Sequence, residues 1–488
     1  MIDTKALRNK VLDLAIQGKL TEQLESDGTA EELFAQIQEE KQRLIKEGKI
    51  KKEKPLPPVD DEEIPFEIPR GWKWVRFANI VNFHLGKTPA RGDSSYWNNG
   101  LYNWITISDM PNSGHISTTN EKISQKAVDD CFNCGITKAS SLIMSFKLSI
   151  GKVAILDFDA YHNEAIITII PYIDKHFVFR DFLFLILPFV SQITESHGAI
   201  KGETLNKTSL SNMVLPLPPL AEQKRIVERV EEIFKLLDII DEAQAKYSAD
   251  AETLKSKLIT MGIQGKLTEQ LESDGTAEEL FAQIQEEKQT ILQSRKGRKD
   301  NSIIPIDSKT PFVLPKNWKW IRFGETGFFR KGPFGSSLTK SIFVPKGDNT
   351  IKVYEQQHAI QKNSTLGTYY ITKEYFESSM SGFEVCAGDI IVSCAGTIGE
   401  TYIMPDNIEK GIINQALMRI TLAPSIDKRF FLYYFNSNLK QDAQSGNGSA
   451  ITNIPPFEIM KNWYFPLPPL AEQKRIADKL DDILRVIG

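Results

Sequence analysis

Between Pro219 and Gly262, apolar side chains fall at Ile226, Val230, Ile233, Leu237, Ile240, Tyr247, Ala251, Leu254, Leu258 and Met261, in steps of four and three broken only by Gln244. Positions four and three apart share one face of an α-helix, and a seam sustained over so many steps predicts a coiled-coil helix. Gln244 stands at a core position of that seam, where a single polar side chain fixes register. Pro218 and Pro219 come before the pattern and Gly262 and Gly265 after it, punctuation that starts and stops helices. The pattern therefore predicts a helix of about 40 residues, roughly 60 Å at 1.5 Å per residue.

The same helix is written a second time, divided between the chain ends. Ile476, Leu480, Ile483 and Ile487 match Ile226, Val230, Ile233 and Leu237, while Leu7, Val11 and Leu14 match Leu254, Leu258 and Met261. Three further echoes keep nearly the same offset. Residues 16–42 recur unchanged at 263–289, PLPPLAEQKRI at 216–226 recurs at 466–476, and Trp72-Lys73-Trp74-x-Arg76-Phe77 recurs as Trp318-Lys319-Trp320-x-Arg322-Phe323, at offsets of 247, 250 and 246 residues. Each copy of the 27-residue repeat predicts a short amphipathic helix, with Ser26 to Thr29 as its cap and Leu33, Phe34, Ile37 and Leu44 on one face. The chain is thus a tandem repeat, circularly permuted within one long helix, and its termini are expected to lie close together.

Between the echoes, residues 78–214 and 324–464 share little identity. Short apolar or alternating runs such as Ser141–Phe146, Lys152–Asp157 and Ala165–Ile170, bounded by Gly, Asn and Asp, predict a mixed β-rich fold, with helices over Phe179–Thr194 and Arg429–Gln444. The expected class is α+β: two mixed β-rich domains separated by long antiparallel coiled-coil helices in a pseudo-two-fold arrangement. The expected divisions are helices at 1–61, a first module at 62–214, central helices at 215–299, a second module at 300–465 and a closing helix at 466–488.

Composition changes this picture in three places. The chain has 488 residues, a length that fits several domains. Its net charge of −4 hides an asymmetry, because each copy of the repeat carries −5 and the remainder is therefore +6, a mild sign of polyanion binding by the modules that a mixed solvated surface would also produce. The longest apolar run, Phe182–Val190, is too short to span a bilayer, and the first residues lack a signal-peptide core, so a cytoplasmic location is expected. Four cysteines make no disulfide framework, and the single CxxC at Cys131 and Cys134 is read as ordinary reduced thiols.

The PLPPLAEQKRI start of a long helix at both places, the IQGKL helix end, GKTPARG with YWNNG and WITISDM over residues 86–110, and KGPFGSSL over 331–338 together resemble the specificity subunit of a type I restriction-modification enzyme. The resemblance covers the whole chain. It implies a non-catalytic subunit with two target-recognition domains, each reading one half of a bipartite double-stranded DNA sequence. It also implies conserved helices that dock two modification (methyltransferase) subunits, with restriction (translocase and nuclease) subunits joining through the complex. No cofactor is expected in this chain; methyl donor and ATP belong to the partner subunits. A duplicated rod carrying two divergent heads suits half-sites a set number of base pairs apart.

Base reading needs planar donors and acceptors, and phosphate contact needs cations and small hydroxyls on loops. The first module offers Lys87, Thr88, Arg91, Tyr96, Trp97, Thr106, Ser108 and Asp109, with Lys147, Lys201 and Lys207 as phosphate contacts. The second offers Lys331, Ser336, Ser337, Lys340, Lys352, Tyr354, Gln356, Gln357, Ser449 and Thr452. Residues of the type of Tyr96 and Trp97 are more often core than contact residues, and any one lysine is usually a solvated surface group.

Enzyme motifs fail on inspection. Gly86-Lys87-Thr88 resembles the end of a P-loop, but the earlier glycine would fall at Val81. In Asn453-Ile454-Pro455-Pro456-Phe457 an isoleucine separates the Asn from the prolines of an amino-methyltransferase tetrapeptide, and the six histidines show no metal-ligand spacing. The competing reading is a helical scaffold whose modules bind no DNA, with PLPPL as a polyproline ligand.

Overall fold

A computed structural model describes residues 1–147, 151–196, 206–294, 303–445 and 454–487. The chain divides into two units, Met1–Ala245 and Lys246–Gly488. The first contains helix α1 (Thr4–Ile16), α2 (Ala30–Lys46), the first module with α3 (Val178–Ser196), and the start of α4 (Leu220–Ile263). The second contains the end of α4, then α5 (Ala277–Ser294), the second module with α6 (Lys428–Ser445), and α7 (Leu470–Ile487). Both units thus use the same order of parts, and the division falls inside the 44-residue helix α4. Among the described residues no helix is long and apolar enough to cross a membrane.

The strands of the first module are β1 (Lys73–Arg76), β2 (Val81–Leu85), β3 (Tyr102–Ile105), β4 (Ser113–Ile116), β5 (Glu121–Ile123), β6 (Leu142–Ser145), β7 (Val153–Leu156), β8 (Ala160–His162), β9 (Ile166–Pro171) and β10 (Val214–Leu217). Those of the second are β11 (Lys319–Arg322), β12 (Gly327–Lys331), β13 (Thr350–Tyr354), β14 (Tyr370–Thr372), β15 (Glu384–Val385), β16 (Ile390–Ser393), β17 (Thr401–Ile403), β18 (Gly411–Ile413), β19 (Leu417–Leu422) and β20 (Tyr464–Leu467). One sheet runs β2-β9-β6-β7 in the first module and β12-β19-β16-β17 in the second; the other runs β5-β3-β8 and β14-β13-β18. The modules are one fold, despite their divergent sequences. The first module adds β4 beside β7, and the second adds β15 beside β18, where the first has only the Thr137–Ala160 bridge. Parallel pairs (β3 with β8, β13 with β18) sit among antiparallel ones, the mixed architecture expected.

Each echo in the sequence has a place in one buried node. The Glu of PLPPLAEQKRI, Glu222, is 1% exposed and accepts hydrogen bonds from Trp72 Nε1 at 2.8 Å, Gln23 Nε2 at 2.8 Å and Thr21 Oγ1 at 3.0 Å. In the second unit Glu472 accepts from Trp318 Nε1 at 2.8 Å, Gln270 Nε2 at 2.9 Å and Thr268 Oγ1 at 3.3 Å. Three segments far apart in sequence therefore meet on one carboxylate. The remaining repeated letters follow: Arg225 pairs with Asp27 and Arg475 with Asp274, both at 2.6 Å, and Lys73 pairs with Glu31 and Lys319 with Glu278, both at 2.5 Å. Arg76 and Arg322 are buried and donate to carbonyls of the preceding linker, Pro57 and Pro58 in one case and Ile304 and Pro305 in the other.

Frame and module are not separate cores. Ala15, Ile16, Leu33 and Ile37 from the helices pack in one cluster with Trp72, Phe77, Leu215 and Ile226, and the second unit repeats this with Ile263, Ile284, Trp318, Phe323, Phe465 and Ile476. The pairing of α1 with α4 is antiparallel, since Thr4 meets Asp241 at 2.5 Å while Arg8 meets Asp238 at 2.8 Å. Gln244, the polar interruption of the seam, accepts from Ile2 N at 2.5 Å and donates to Ile2 O at 3.2 Å, so it does hold register. The seam itself is fully buried only in its first part. Ile226, Val230 and Leu237 are covered, but Tyr247 is 63% and Leu254 47% exposed, in contrast to the continuous coiled-coil core that the spacing predicts. The 13 residues of α1 and the 18 of α7 are each far shorter than the 44 of α4.

Glu222→Ala leaves three donors without their acceptor, and is expected to destabilise the first unit by ~3 kcal/mol or more. Hydrogen exchange should then rise across 1–245 and stay unchanged beyond the central helix, with Glu472→Ala giving the mirror result. Glu222→Gln, which keeps an acceptor oxygen, should cost less. Equal losses in both units from a single variant would show that the node is not local to its unit.

Candidate nucleic-acid interface

In the first module β3 ends at Ile105 and the chain turns at once into the short 3-10 segment Ile107–Asp109. Asp109 closes the turn by accepting from Thr106 N at 2.8 Å and Thr106 Oγ1 at 2.9 Å, and the Thr106 hydroxyl also meets Ser108 Oγ at 2.6 Å. In the second module β13 ends at Tyr354 and leads into Gln356–Ile360, where His358 Nδ1 accepts from Glu355 N at 2.8 Å. Thr106, Ser108 and Asp109 therefore occupy the same loop of the fold as Gln356 and Gln357. Gln356 Nε2 reaches the next loop, donating to Thr397 O at 3.1 Å, and Gln357 Nε2 donates to Glu355 at 2.9 Å.

The loops after β2 and β12 correspond in the same way. Arg91 stacks its guanidinium 4.1 Å from the Trp97 ring centre and 4.7 Å from that of Trp104, and pairs with Glu121. Trp97 Nε1 donates to Ala90 O at 3.1 Å, and Tyr96 and Trp97 pack on a cluster of Trp104, Ile123, Ala127 and Tyr161. These two aromatics are half-buried against that cluster, and Arg91 is stacked and paired within the fold. Thr88 donates to Glu164, while Lys87 N donates to His162 O at 2.9 Å. In the second module Lys331, Ser336 and Lys340 are exposed, whereas Ser337 is half-buried and accepts through its backbone carbonyl from Tyr375 Oη at 2.9 Å.

Two candidates are corrected by burial. Tyr354 is 0% and Lys352 1% exposed; Tyr354 Oη donates to Glu409 O at 2.7 Å and Lys352 Nζ to Ser364 O at 2.8 Å. The sequence offers them as loop contacts, but both belong to β13, whose two faces are covered, so neither reaches a ligand. Lys207 lies on the helix Lys207–Asn212 and pairs with Glu53 at 2.8 Å, beside the linker instead of these loops. Lys147 directly follows the β6 loop residue Phe146 and holds its ammonium 5.5 Å from that ring. Lys201, Ser449 and Thr452 fall outside the described residues.

What joins these loops is a feature absent from the candidate set, the turn between β8 and β9. Asn163 N donates to Ile105 O at 3.0 Å, Phe146 N to Ala165 O at 3.0 Å and Gly86 N to Ile166 O at 3.1 Å, while Asn163 Oδ1 accepts from Ala165 N at 3.1 Å. The second module repeats every bond: Asn414 N to Tyr354 O at 2.9 Å, Cys394 N to Ala416 O at 2.8 Å, Gly332 N to Leu417 O at 2.9 Å and Ala416 N to Asn414 Oδ1 at 3.0 Å. Gly86 and Gly332 are obligatory at these contacts, because a Cβ would stand 1.9 Å from His162 O and 1.8 Å from Asn414 O. The turn thus ties the loops after β2, β3 and β6 into one surface. The signal was present as Asn-Glu-Ala at 163–165 and Asn-Gln-Ala at 414–416, an echo too short to stand out.

Two β-rich modules with one strand order, each anchored through a buried carboxylate to paired helices, define the class. A family model described as the type I restriction modification DNA specificity domain matches residues 69–246 and again 315–487, and the chain belongs to that family. It is 24% identical to the type I restriction enzyme EcoAI specificity subunit of Escherichia coli, over 99% of this chain and 89% of that protein. It is 22% identical to the MjaVIII specificity subunit of Methanocaldococcus jannaschii, over 86% and 88%. Among solved structures it shares the fold of a chain from a structure of the type I R-M system (TM-score 0.59, 19% identity, 87% and 92% covered) and of the HsdS subunit from Thermoanaerobacter tengcongensis (TM-score 0.50, 18% identity, 87% and 91% covered).

Under the first module's turn lies a buried polar chain. His162, 2% exposed, meets Thr168 Oγ1 through Nε2 at 2.7 Å, and Thr168 meets Thr137 Oγ1 at 2.9 Å. Burial lowers the His162 pKa to about 4, and also lowers that of its stacked neighbour His84. In the second module Ile413 stands at the corresponding end of β18. A histidine held neutral in the fold but free to protonate when unfolded favours folding above its ordinary pKa near 6.5, and that stability is lost as pH falls from there toward about 4. The first unit is therefore expected to lose ~2 to 3 kcal/mol between pH 7 and pH 4.5 through this group. His162→Ile should flatten that slope in pH-dependent hydrogen exchange of residues 1–245, and an unchanged slope would refute the assignment.

Proposed function

We propose that this chain is the non-catalytic DNA-reading subunit of a type I restriction-modification complex, each module reading one half of a bipartite duplex target. The observation that carries the reading is that both modules hold the same three loops on the same turn while the side chains on those loops differ. A shared scaffold with exchanged loop residues is what two independent sequence readers require. The exposed Lys331 and Lys340, with Ser336 between them, supply phosphate contacts; Ser108, Gln356 and Gln357 supply groups for base edges.

The frame helices dock two modification subunits, which carry the methyl donor, and ATP-driven restriction subunits join through that complex. Glu22, Leu24 and Glu25 are exposed in the first unit and Glu269, Leu271 and Glu272 in the second, so two identical faces are offered to two copies of one partner. Tyr247, Leu254 and Met261 add exposed apolar surface on α4.

Exchanging residues 66–214 for the corresponding module of another family member is expected to change one half of the methylated sequence and preserve the other. Sequencing of methylated sites reads this directly, and a change in both halves would end the independent-reader model. Four residues added to α4 near Ala249 lengthen the helix by about 6 Å, close to two base pairs at roughly 3.4 Å each. The expected target keeps its half-sites and gains a longer spacer; the original spacer in a folded, active variant would exclude the helix as the ruler.

A further inference from the structure

The turn between β8 and β9 presents one side chain outward in each module, Glu164 in the first and Gln415 in the second. Both are exposed, while the residues flanking them are locked by the hydrogen bonds that gather the loops after β2, β3 and β6. We infer that Glu164 and Gln415 are base-reading, specificity-determining residues, Glu164 accepting from a cytosine N4 amino group and Gln415 pairing with the N6 and N7 edge of adenine. The inference rests on the reading of the chain as a DNA-recognition subunit and names which residue of each module does the reading.

Three observations support it. The backbone at this position is constrained on both sides, since Asn163 and Asn414 bind the ends of β3 and β13 through their N–H groups and the next residue but one through their side chains. A side chain rooted there is pre-positioned at little entropic cost. Second, the position is the same in both modules but its chemistry differs: an acceptor-only carboxylate against an amide with both donor and acceptor, the difference that separates cytosine from adenine in the major groove. Third, a carboxylate among phosphate-binding loops is unfavourable unless a base donor meets it. Glu164 is nonetheless kept ionised: burial alone would raise its pKa, but the Thr88 hydroxyl and the charges of Lys147 and Arg91 bring it below the ordinary value. Thr88 donates to Glu164 Oε2, which orients the carboxylate, and the Gln415 amide has no hydrogen-bond partner among the described residues.

The test uses the full chain assembled with its modification subunits, with methylation of a randomised DNA library read by sequencing, for the wild type, Glu164→Gln, Gln415→Glu and Gln415→Leu. Each Glu164 or Gln415 variant is expected to relax or switch a single base position in one half-site, with discrimination there falling roughly tenfold or more and the other half-site intact. Gln415→Leu, close to glutamine in size, removes only the polar group and guards against a folding effect of the added charge in Gln415→Glu. Unchanged half-sites in complexes that still methylate would overturn the inference. So would a uniform loss across all sequences and on random duplex, which marks a phosphate or packing role and leaves the proposed DNA-reading function standing. A wild-type complex that methylates no bipartite target would remove that function and this inference together.

Discussion

A carboxylate with almost no exposed surface holds each half of this protein together. Glu222 and Glu472 each collect an indole N–H, a hydroxyl and an amide from segments that are otherwise distant along the chain. Burying a charge is costly unless donors replace the water it gave up, and here three donors do so at once. The arrangement is reciprocal: the carboxylate is tolerable only with donors from the other segments present, and the buried indole N–H finds its acceptor in the carboxylate. This explains why the three strongest echoes in the chain share nearly one offset.

The node has a consequence for the modules. β1 begins at Lys73, directly after Trp72, and pairs with β10, which leads through Pro218 and Pro219 into the helix that carries Glu222. The two strands by which a module leaves its frame are thus clamped by the same residues that clamp the helices, and frame and module share a core. A module can change its loops freely so long as this stem is kept. The turns at Asn163 and Asn414 do the equivalent job at the other end of the fold, gathering three loops through backbone hydrogen bonds that are indifferent to most side chains. Stem and turn together fix the scaffold and leave the loop surface to vary.

The exposed stretch of α4 shows the limit of reading a heptad as a buried core. The four-and-three steps resume after Gln244 through Tyr247 and Leu254, yet the fully covered seam positions are Ile226, Val230 and Leu237. Periodicity states which face of a helix is apolar; it does not state what lies against that face. Such an exposed apolar stretch, which lies in the second unit, is suited to a partner protein.

The sequence by itself determined the parts whose signals are local. The long helix, the capped amphipathic helices after Thr29 and Thr276, the strands at Leu142–Ser145, Val153–Leu156 and Ile166–Pro171 and the duplicated frame all follow from periods of 3.6 and 2 and from repeated letters. Among the residues proposed from the sequence as DNA contacts, Ser108, Gln356 and Lys331 lie at or just beyond the ends of β3, β13 and β12. Tertiary structure alone decided the rest. Lys352 and Tyr354 are buried because a second layer covers both faces of β13, which a four- or five-residue strand cannot announce. The turns at Asn163 and Asn414 act through bonds between backbone groups brought together by strand pairing, and a backbone N–H or carbonyl looks the same at every position of a sequence.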